Sequence, residues 1–197
     1  MEKIELFNNS IYKTSYNFDF KMLQPIFEKM VDLKKQDHLE EGNTLTSWYS
    51  KVTPIDLDEL NNFYEFITPI FNDVLINKWG YPKENDYLIS NAWVSKYGKG
   101  GYIKPHAHDD ITAVICAYIK IPKDTSNTMF RDPYYETKQH MSTKDDRWLW
   151  NEIKCTDNDV LIFQGGIVHK TEPNQSNENR WIMTTNIITK KKNINLI

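Results

Sequence analysis

The spacing of apolar residues changes once along the chain, near residue 85. Before that point they recur three and four apart, as on one face of a helix. After it they alternate or run together, as in half-buried and fully buried strands. The first half opens with strand-like segments at residues 4–7 and 11–16. A helix is expected to start at Pro25, a residue favoured in the first helical turn. Ile26, Phe27, Met30 and Val31 form its apolar face, and Lys34, Lys35, Gln36 and Asp37 its polar end. Thr53-Pro54-Ile55-Asp56 has the form of a capping box. Leu57, Leu60, Phe63, Tyr64, Ile67, Ile70, Phe71, Val74 and Leu75 follow at helical spacing as a packing stripe. Pro69 within it predicts a kink or two consecutive helices.

In the second half, residues 87–97 and 102–108 read as strands joined by the turn Lys99-Gly100-Gly101. Residues 112–121 are almost wholly apolar, as in a strand buried on both faces. Residues 123–150 are long, polar and rich in aromatics, as in a functional lid or a disordered segment; as a lid, Tyr134, Tyr135, Trp148 and Trp150 would either grip a substrate or merely pack over the barrel mouth. Residues 153–155, 160–163 and 180–188 complete the strands. With no linker or repeat, residues 1–197 read as a single domain. It has helical support over about 1–85 and a β-sandwich or barrel over about 86–190, with the lid inserted at about 123–150. The fold class is α+β and mainly β.

Composition narrows the function. An apolar content of 40%, with 13% aromatic residues, supports one packed core and argues against disorder. A net charge of −3 offers no attraction to a polyanion, and Lys190-Lys191-Lys192 is too short a run to change that, so there is no strong nucleic-acid signal. No apolar run approaches the roughly 18 residues of a membrane span, and the start Met-Glu-Lys-Ile-Glu has no signal-peptide character. Cys116 and Cys155 read as free thiols, which fits a reducing compartment and a cytoplasmic location.

Two short pieces carry candidate chemistry. His106 and His108 stand two apart on a strand and therefore project from one face, joined by Asp110 if the extended backbone lasts that far. Converging imidazoles with a nearby carboxylate suit iron, manganese or zinc. His169 follows a buried strand and the pair Gly165-Gly166. Eleven residues beyond it, Arg180 opens a strand on which Arg180, Ile182, Thr184 and Asn186 share a face. An inward arginine beside a hydroxyl points to an anion, because guanidinium forks onto a carboxylate through two parallel hydrogen bonds. The alternative is a surface ion pair with Glu178. Asn91 and Trp93 share a face that would line the cavity, with Trp93 as a core residue the plainer alternative. Lys120 falls on the Tyr118 face and could assist an anion. His38 and His140 have no spacing relation to the others and read as surface residues. No serine or cysteine nucleophile with a plausible base is visible, so covalent hydrolase chemistry is disfavoured.

The stretch Tyr102 to His108 with Ile115 to Lys120, then Phe130-Arg131-Asp132-Pro133, then Asp159 to Phe163 through His169, Glu172-Pro173-Asn174 and Arg180, resembles the Fe(II)/2-oxoglutarate-dependent oxygenases. It is most similar to a branch found in phage and marine bacterial genomes, whose motif is His-x-His rather than His-x-Asp. The resemblance covers about residues 91–186. It implies a double-stranded β-helix (jelly-roll, cupin-like) with the N-terminal helices packed outside it. It also implies Fe(II), 2-oxoglutarate and O2, with ascorbate as a possible reductant, and hydroxylation with release of succinate and CO2. If the chain is phage-encoded, its location would be the host cytoplasm. His106 and His169 match the two invariant ligand histidines, and Arg180 the arginine for the distal carboxylate, with Thr184 beside it. Tyr118 falls where related hydroxylases set a tyrosine against the cosubstrate. His108 occupies the slot of the usual carboxylate. It is itself the third ligand, or Asp110 supplies it, or the site has two histidines only. Two further readings remain: a jelly-roll binding or virion-associated protein without turnover, and a cupin-like metal-dependent isomerase or lyase. Peptide, nucleotide, lipid and small-metabolite substrates are all compatible with the sequence, which does not address oligomeric state.

Overall fold

A computed structural model describes residues 10–31, 39–134 and 149–191. In chain order the elements are β1 (Tyr12–Ser15), α1 (Phe20–Val31), β2 (Glu40–Glu41), β3 (Thr44–Thr46), α2 (Asn61–Asp73), β4 (Asp86–Tyr97), β5 (Tyr102–Ile103), β6 (Ala113–Lys120), β7 (Thr128–Arg131), β8 (Trp150–Ile153), β9 (Asp159–Gln164), β10 (His169–Thr171) and β11 (Arg180–Lys190). The strand expected at residues 4–7, the polar end of the first helix with His38, and Tyr135, His140 and Trp148 lie outside the described residues.

The strands form an antiparallel six-stranded sheet, ordered β1-β9-β6-β11-β4-β3, and a three-stranded sheet ordered β10-β7-β8. Between them β2 pairs with β5, and His106 bridges His169. This is the double-stranded β-helix. Strand alternation sends residues 113, 115, 117 and 119 of β6 and Trp181, Met183 and Ile187 of β11 outward. There they meet Phe27 of α1 and Phe63, Ile67 and Phe71 of α2 in the larger core. The intervening residues Val114, Cys116, Tyr118 and Ile182 point inward onto Phe130, Leu161 and Phe163. Both cysteines are free and buried.

Several local expectations are revised. The first helix begins five residues before Pro25, because Asp19 caps it by accepting from Met22 N–H at 3.1 Å. Pro25 is carried inside the helix, with Leu23 added to the buried face. The Thr53 capping box is present, but it opens a tight turn at Pro54–Asp56, and a second turn at Asp58–Leu60 precedes α2. The helix runs through Pro69, and the irregularity comes later, in a widened turn at Val74–Lys78. The strand expected over residues 102–108 pairs only at Tyr102–Ile103 and again at His106, since Pro105 has no N–H to offer. The segment expected as a lid is partly sheet. In β7, Thr128 and Phe130 are buried while Met129 and Arg131 face outward, an alternation that pairs it with both β8 and β10.

Phe27 has no exposed surface and packs 6.2 Å from the Trp181 ring. Phe27→Ala is expected to cost about 3–5 kcal/mol of unfolding free energy by urea denaturation. Val52→Ala, at an exposed position, should stay within about 0.5 kcal/mol.

Candidate metal centre

Three histidines converge where the two sheets meet. His106 and His169 exchange backbone hydrogen bonds of 3.0 and 2.8 Å, which draws their rings to 4.3 Å. His108 is tied by its own N–H to the Gly165 carbonyl at 2.9 Å. Its ring lies 5.3 Å from that of His106 and 5.2 Å from that of His169. Gly165 is required there: a Cβ at that position would sit 2.1 Å from the Ile111 carbonyl oxygen and 3.1 Å from that of His108. One ligand nitrogen from each ring falls within 4.8 Å of the others.

Hydrogen bonds fix which nitrogen is offered. Nδ1 of His106 lies 2.9 Å from the Lys104 carbonyl, Nδ1 of His169 3.0 Å from the Ile167 carbonyl, and Nδ1 of His108 2.8 Å from Asn186 Oδ1. Carbonyl oxygens only accept, so each Nδ1 carries its proton and each Nε2 keeps a lone pair for a metal. Burial pushes His108 down to about 4, and a neighbouring imidazole, His106, acts in the same direction. Burial, followed by the other two imidazoles, holds His169 well below the ordinary histidine value. His108 and His169 are therefore neutral at physiological pH, the state a metal requires.

Asp110 does not join them. The chain turns at Asp109–Asp110, with Asp110 at φ 60, so strand alternation ends at His108. Among the described residues the cluster is His106, His108 and His169.

Arg180 is 1% exposed and makes no ion pair with Glu178. One Nη donates to the Ser126 carbonyl at 2.6 Å and to its hydroxyl at 2.7 Å; the other donates to Thr171 Oγ1 at 3.0 Å. Ser126 in turn donates to the Glu172 carbonyl. The guanidinium lies 4.3 Å over the Tyr97 ring, its cross-strand neighbour. Its Nε is buried without a partner. Thr171 and His169 share a face of β10, two residues or about 7 Å apart. Through Thr171 the guanidinium thus meets the same face of β10 as His169.

Between them the inner face of β11 presents Ile182 and Thr184, ending at Asn186 beside His108. Thr184 Oγ1 meets Cys116 Sγ at 3.9 Å rather than the guanidinium, whose hydroxyl neighbours are Thr171 and Ser126. Tyr118 is buried, its hydroxyl 2.5 Å from Thr128 Oγ1. Lys120 is engaged outside by Asp157 at 2.7 Å. A cavity of about 640 Å³ opens on His106 and His108, lined also by Asn91 and Trp93. Trp93 is half-buried against it and stacks on His108 at 5.8 Å, so it is not a core residue. Glu40 and Trp48 also line the cavity. Neither was a sequence candidate, because each reaches the site from a short segment with no periodicity of its own. Thr171 could have been found by applying strand alternation to His169.

The fold and the site together define a jelly-roll protein with a three-histidine centre and a buried arginine. Residues 91–186, just under half of the chain, match the family described as "Putative 2OG-Fe(II) oxygenase". No curated protein matches it. Among solved structures it is similar to a prolyl-4-hydroxylase of Pseudomonas putida, with TM-score 0.59, 8% identity, and coverage of 93% of this chain and 94% of that one. It is also similar to HygX from Streptomyces hygroscopicus with nickel, 2-oxoglutarate and hygromycin B bound (TM-score 0.58, 9% identity, 91% and 82% covered). A third similar structure is SnoN, a non-heme alpha ketoglutarate dependent epimerase from nogalamycin biosynthesis (TM-score 0.58, 11% identity, 91% and 78% covered). Among the described residues no helix is long and apolar enough to cross a membrane.

Two outcomes follow from the centre itself. Asn186→Ala should weaken Fe(II) or Ni(II) binding about 10- to 100-fold by freeing His108, whereas Asp110→Asn should leave it unchanged in the same titration. A histidine depressed in the folded state is protonated first in the unfolded chain, so stability is complete above the unfolded value of 6.5 and declines as pH falls towards about 4. Metal-free protein should lose on the order of 3 kcal/mol from His108 across that window. In urea midpoints, His108→Gln should show a correspondingly flatter pH dependence.

Proposed function

We propose that this chain is an Fe(II)- and 2-oxoglutarate-dependent dioxygenase that hydroxylates an organic substrate, with release of succinate and CO2. The observation that carries this reading is the pairing of three inward Nε2 atoms with a buried arginine whose Nε lacks a partner. In this reading His106, His108 and His169 hold Fe(II), and Arg180 holds the distal carboxylate of 2-oxoglutarate. Its Nε supplies a hydrogen bond that no protein atom claims. Ser126 and Thr171 keep the guanidinium from swinging, since both of its Nη groups are already engaged. Ile182 and Thr184 lie beneath the five-carbon chain, and Tyr118, fixed by Thr128, closes one side and excludes water. Asn91 stands at the other end, across from Asn186.

Fe(II) with 2-oxoglutarate and O2 supplies the oxidising power, one oxygen atom going to the C–H bond and the other to succinate, while ascorbate can keep the iron ferrous. The protein's part is register: imidazoles held by their Nδ1 bonds, a cosubstrate anchored at both ends, and a cavity that presents the substrate at His106 and His108. A binding protein without turnover, or a cupin-like isomerase that dispenses with 2-oxoglutarate, has no use for a buried arginine at this spacing from the histidines.

Anaerobic addition of Fe(II) and 2-oxoglutarate should produce the visible charge-transfer band of the chelate. Its absence in the wild-type protein would overturn the proposal. His169→Ala should abolish the band, and Arg180→Ala should raise the 2-oxoglutarate concentration needed by about 30-fold or more, the loss expected when one partner of a buried charge pair is removed. Succinate should then form slowly under air without added substrate.

A further inference from the structure

We infer that Asn91 and Asn186 form a two-amide clamp for a carbonyl oxygen of the substrate, which presents an aromatic ring to Trp48 and Trp93. The identification of this cavity as the substrate site rests on the proposed oxygenase reading. Its preference for an aryl carbonyl compound rests on the cavity's own walls.

Asn91 of β4 and Asn186 of β11 stand directly opposite each other in the sheet, and both line the cavity beside the histidines. Opposed side chains leave the same face with Cβ atoms about 4.5–5.5 Å apart, close enough to share one ligand atom. The carbonyl oxygen of each side chain is already engaged. Nδ1 of His108 lies 2.8 Å from Asn186 Oδ1. The Ser90 hydroxyl donates to Asn91 Oδ1 at 3.1 Å and lies 3.3 Å from the Asn186 backbone carbonyl. What remains of each side chain is an NH2 group, which only donates. Among the described residues no acceptor meets either one. Asn186 is 4% exposed, so its amide hydrogens have little access to bulk water. A buried donor in that state is destabilising until an acceptor reaches it, and the cavity is the side from which one can come.

The indoles supply the second half. Trp48, Trp93 and Leu39 line the same cavity, yet among the described residues they belong to neither hydrophobic core. Trp48 is 44% exposed, and its N–H is held by Thr46 Oγ1 at 3.2 Å. The two indoles meet at 90° with ring centroids 4.6 Å apart, which gives two flat walls at a corner. Apolar surface of this kind, beside a few convergent polar groups, is the make-up of a small-molecule site. Indole faces favour an aromatic partner over a saturated one, because ring pairs gain beyond the area they bury.

Strand geometry joins the two halves. Asn91 and Trp93 share a face of β4 two residues apart, a step of about 7 Å, so one small molecule spans both. A carbonyl oxygen has two lone pairs and accepts from both amides at once. Trp93 also stacks on His108 at 5.8 Å, which puts the ring of such a ligand beside the histidines.

The test uses three neutral probes: acetophenone, α-methylstyrene (the same shape without the oxygen) and cyclohexyl methyl ketone (the same carbonyl on a saturated ring). Binding is measured by equilibrium dialysis, in metal-free protein and in the anaerobic Fe(II)–2-oxoglutarate complex. Asn91→Asp and Asn186→Asp keep an acceptor for Ser90 and His108 but remove the NH2 donors. Each should lower the affinity of acetophenone relative to α-methylstyrene about tenfold. Trp48→Leu should lower that of acetophenone relative to cyclohexyl methyl ketone about threefold. An unchanged ratio in any of the three variants, or no binding of acetophenone at millimolar concentration, overturns the inference. Displacement of acetophenone by 2-oxoglutarate in the iron complex overturns it as well, since the amides would then serve the cosubstrate. The charge-transfer band reports the iron and 2-oxoglutarate site independently of the ketones. A band without these ratio changes therefore defeats this inference alone, and the ratio changes in metal-free protein without a band defeat the oxygenase reading alone.

Discussion

The pairing register of β11 governs everything built around it. Held between β4 and β6, the strand sends Trp181, Met183 and Ile187 to the helices, and Arg180, Ile182, Thr184 and Asn186 to the interior. A slip of one residue would bury the arginine against Phe27 and point Trp181 into the interior, which makes the register expensive to change. The same alternation sets the spacing of function. Asn186 fixes the third imidazole, Thr184 and Ile182 form a floor, and Arg180 ends the row. Stability and chemistry are thus two faces of one strand, and the helices that cover its outer face keep its inner face in place.

Period-two reasoning made much of this legible from sequence. The inward set on β11, the shared face of His106 and His108, and the buried strand β6 all follow from alternation alone. The packing stripe of α2 follows from helical spacing in the same way. What escaped depends on partners distant in sequence or on single side-chain contacts. Asp19 starts α1 through one hydrogen bond, so the nearby Pro25 was the more visible but misleading signal. The strand at Thr128–Arg131 is four residues long and sits in polar surroundings, and its pairing with β10 decides its state. Glu40 and Trp48 become neighbours of the histidines only once β2 joins β5 and β3 joins β4.

The run from His106 to Asp110 shows most clearly how local geometry overrides pattern. On pattern alone, Asp110 is as good a partner for the histidines as His108, because extended backbone would put both on one face. The left-handed residue at 110 ends that extension, and Gly165 admits the turn by offering no Cβ to the Ile111 carbonyl. The backbone bond from His108 to Gly165 then places the imidazole, and Asn186 holds its Nδ1. No single residue in the His-Ala-His-Asp-Asp run carries that information; it sits in a glycine and an asparagine more than fifty residues away.

In the proposed reading His108 is a neutral ligand where a carboxylate is usual, which changes the balance of charge. An asparagine rather than a carboxylate backs His108, so neither the ligand nor its partner brings a negative charge to the centre. Of the acidic residues that line the adjoining cavity, Glu40 accepts a hydrogen bond from Ser95. A metal bound by three neutral imidazoles is more electron-poor than one with a carboxylate ligand, and it depends more on an anionic cosubstrate to complete its shell. The buried guanidinium, with Nε open, is placed to hold such an anion. In the proposed reading a histidine at the metal and a buried arginine are therefore compatible, since the dianionic cosubstrate brings the negative charge that the histidine does not.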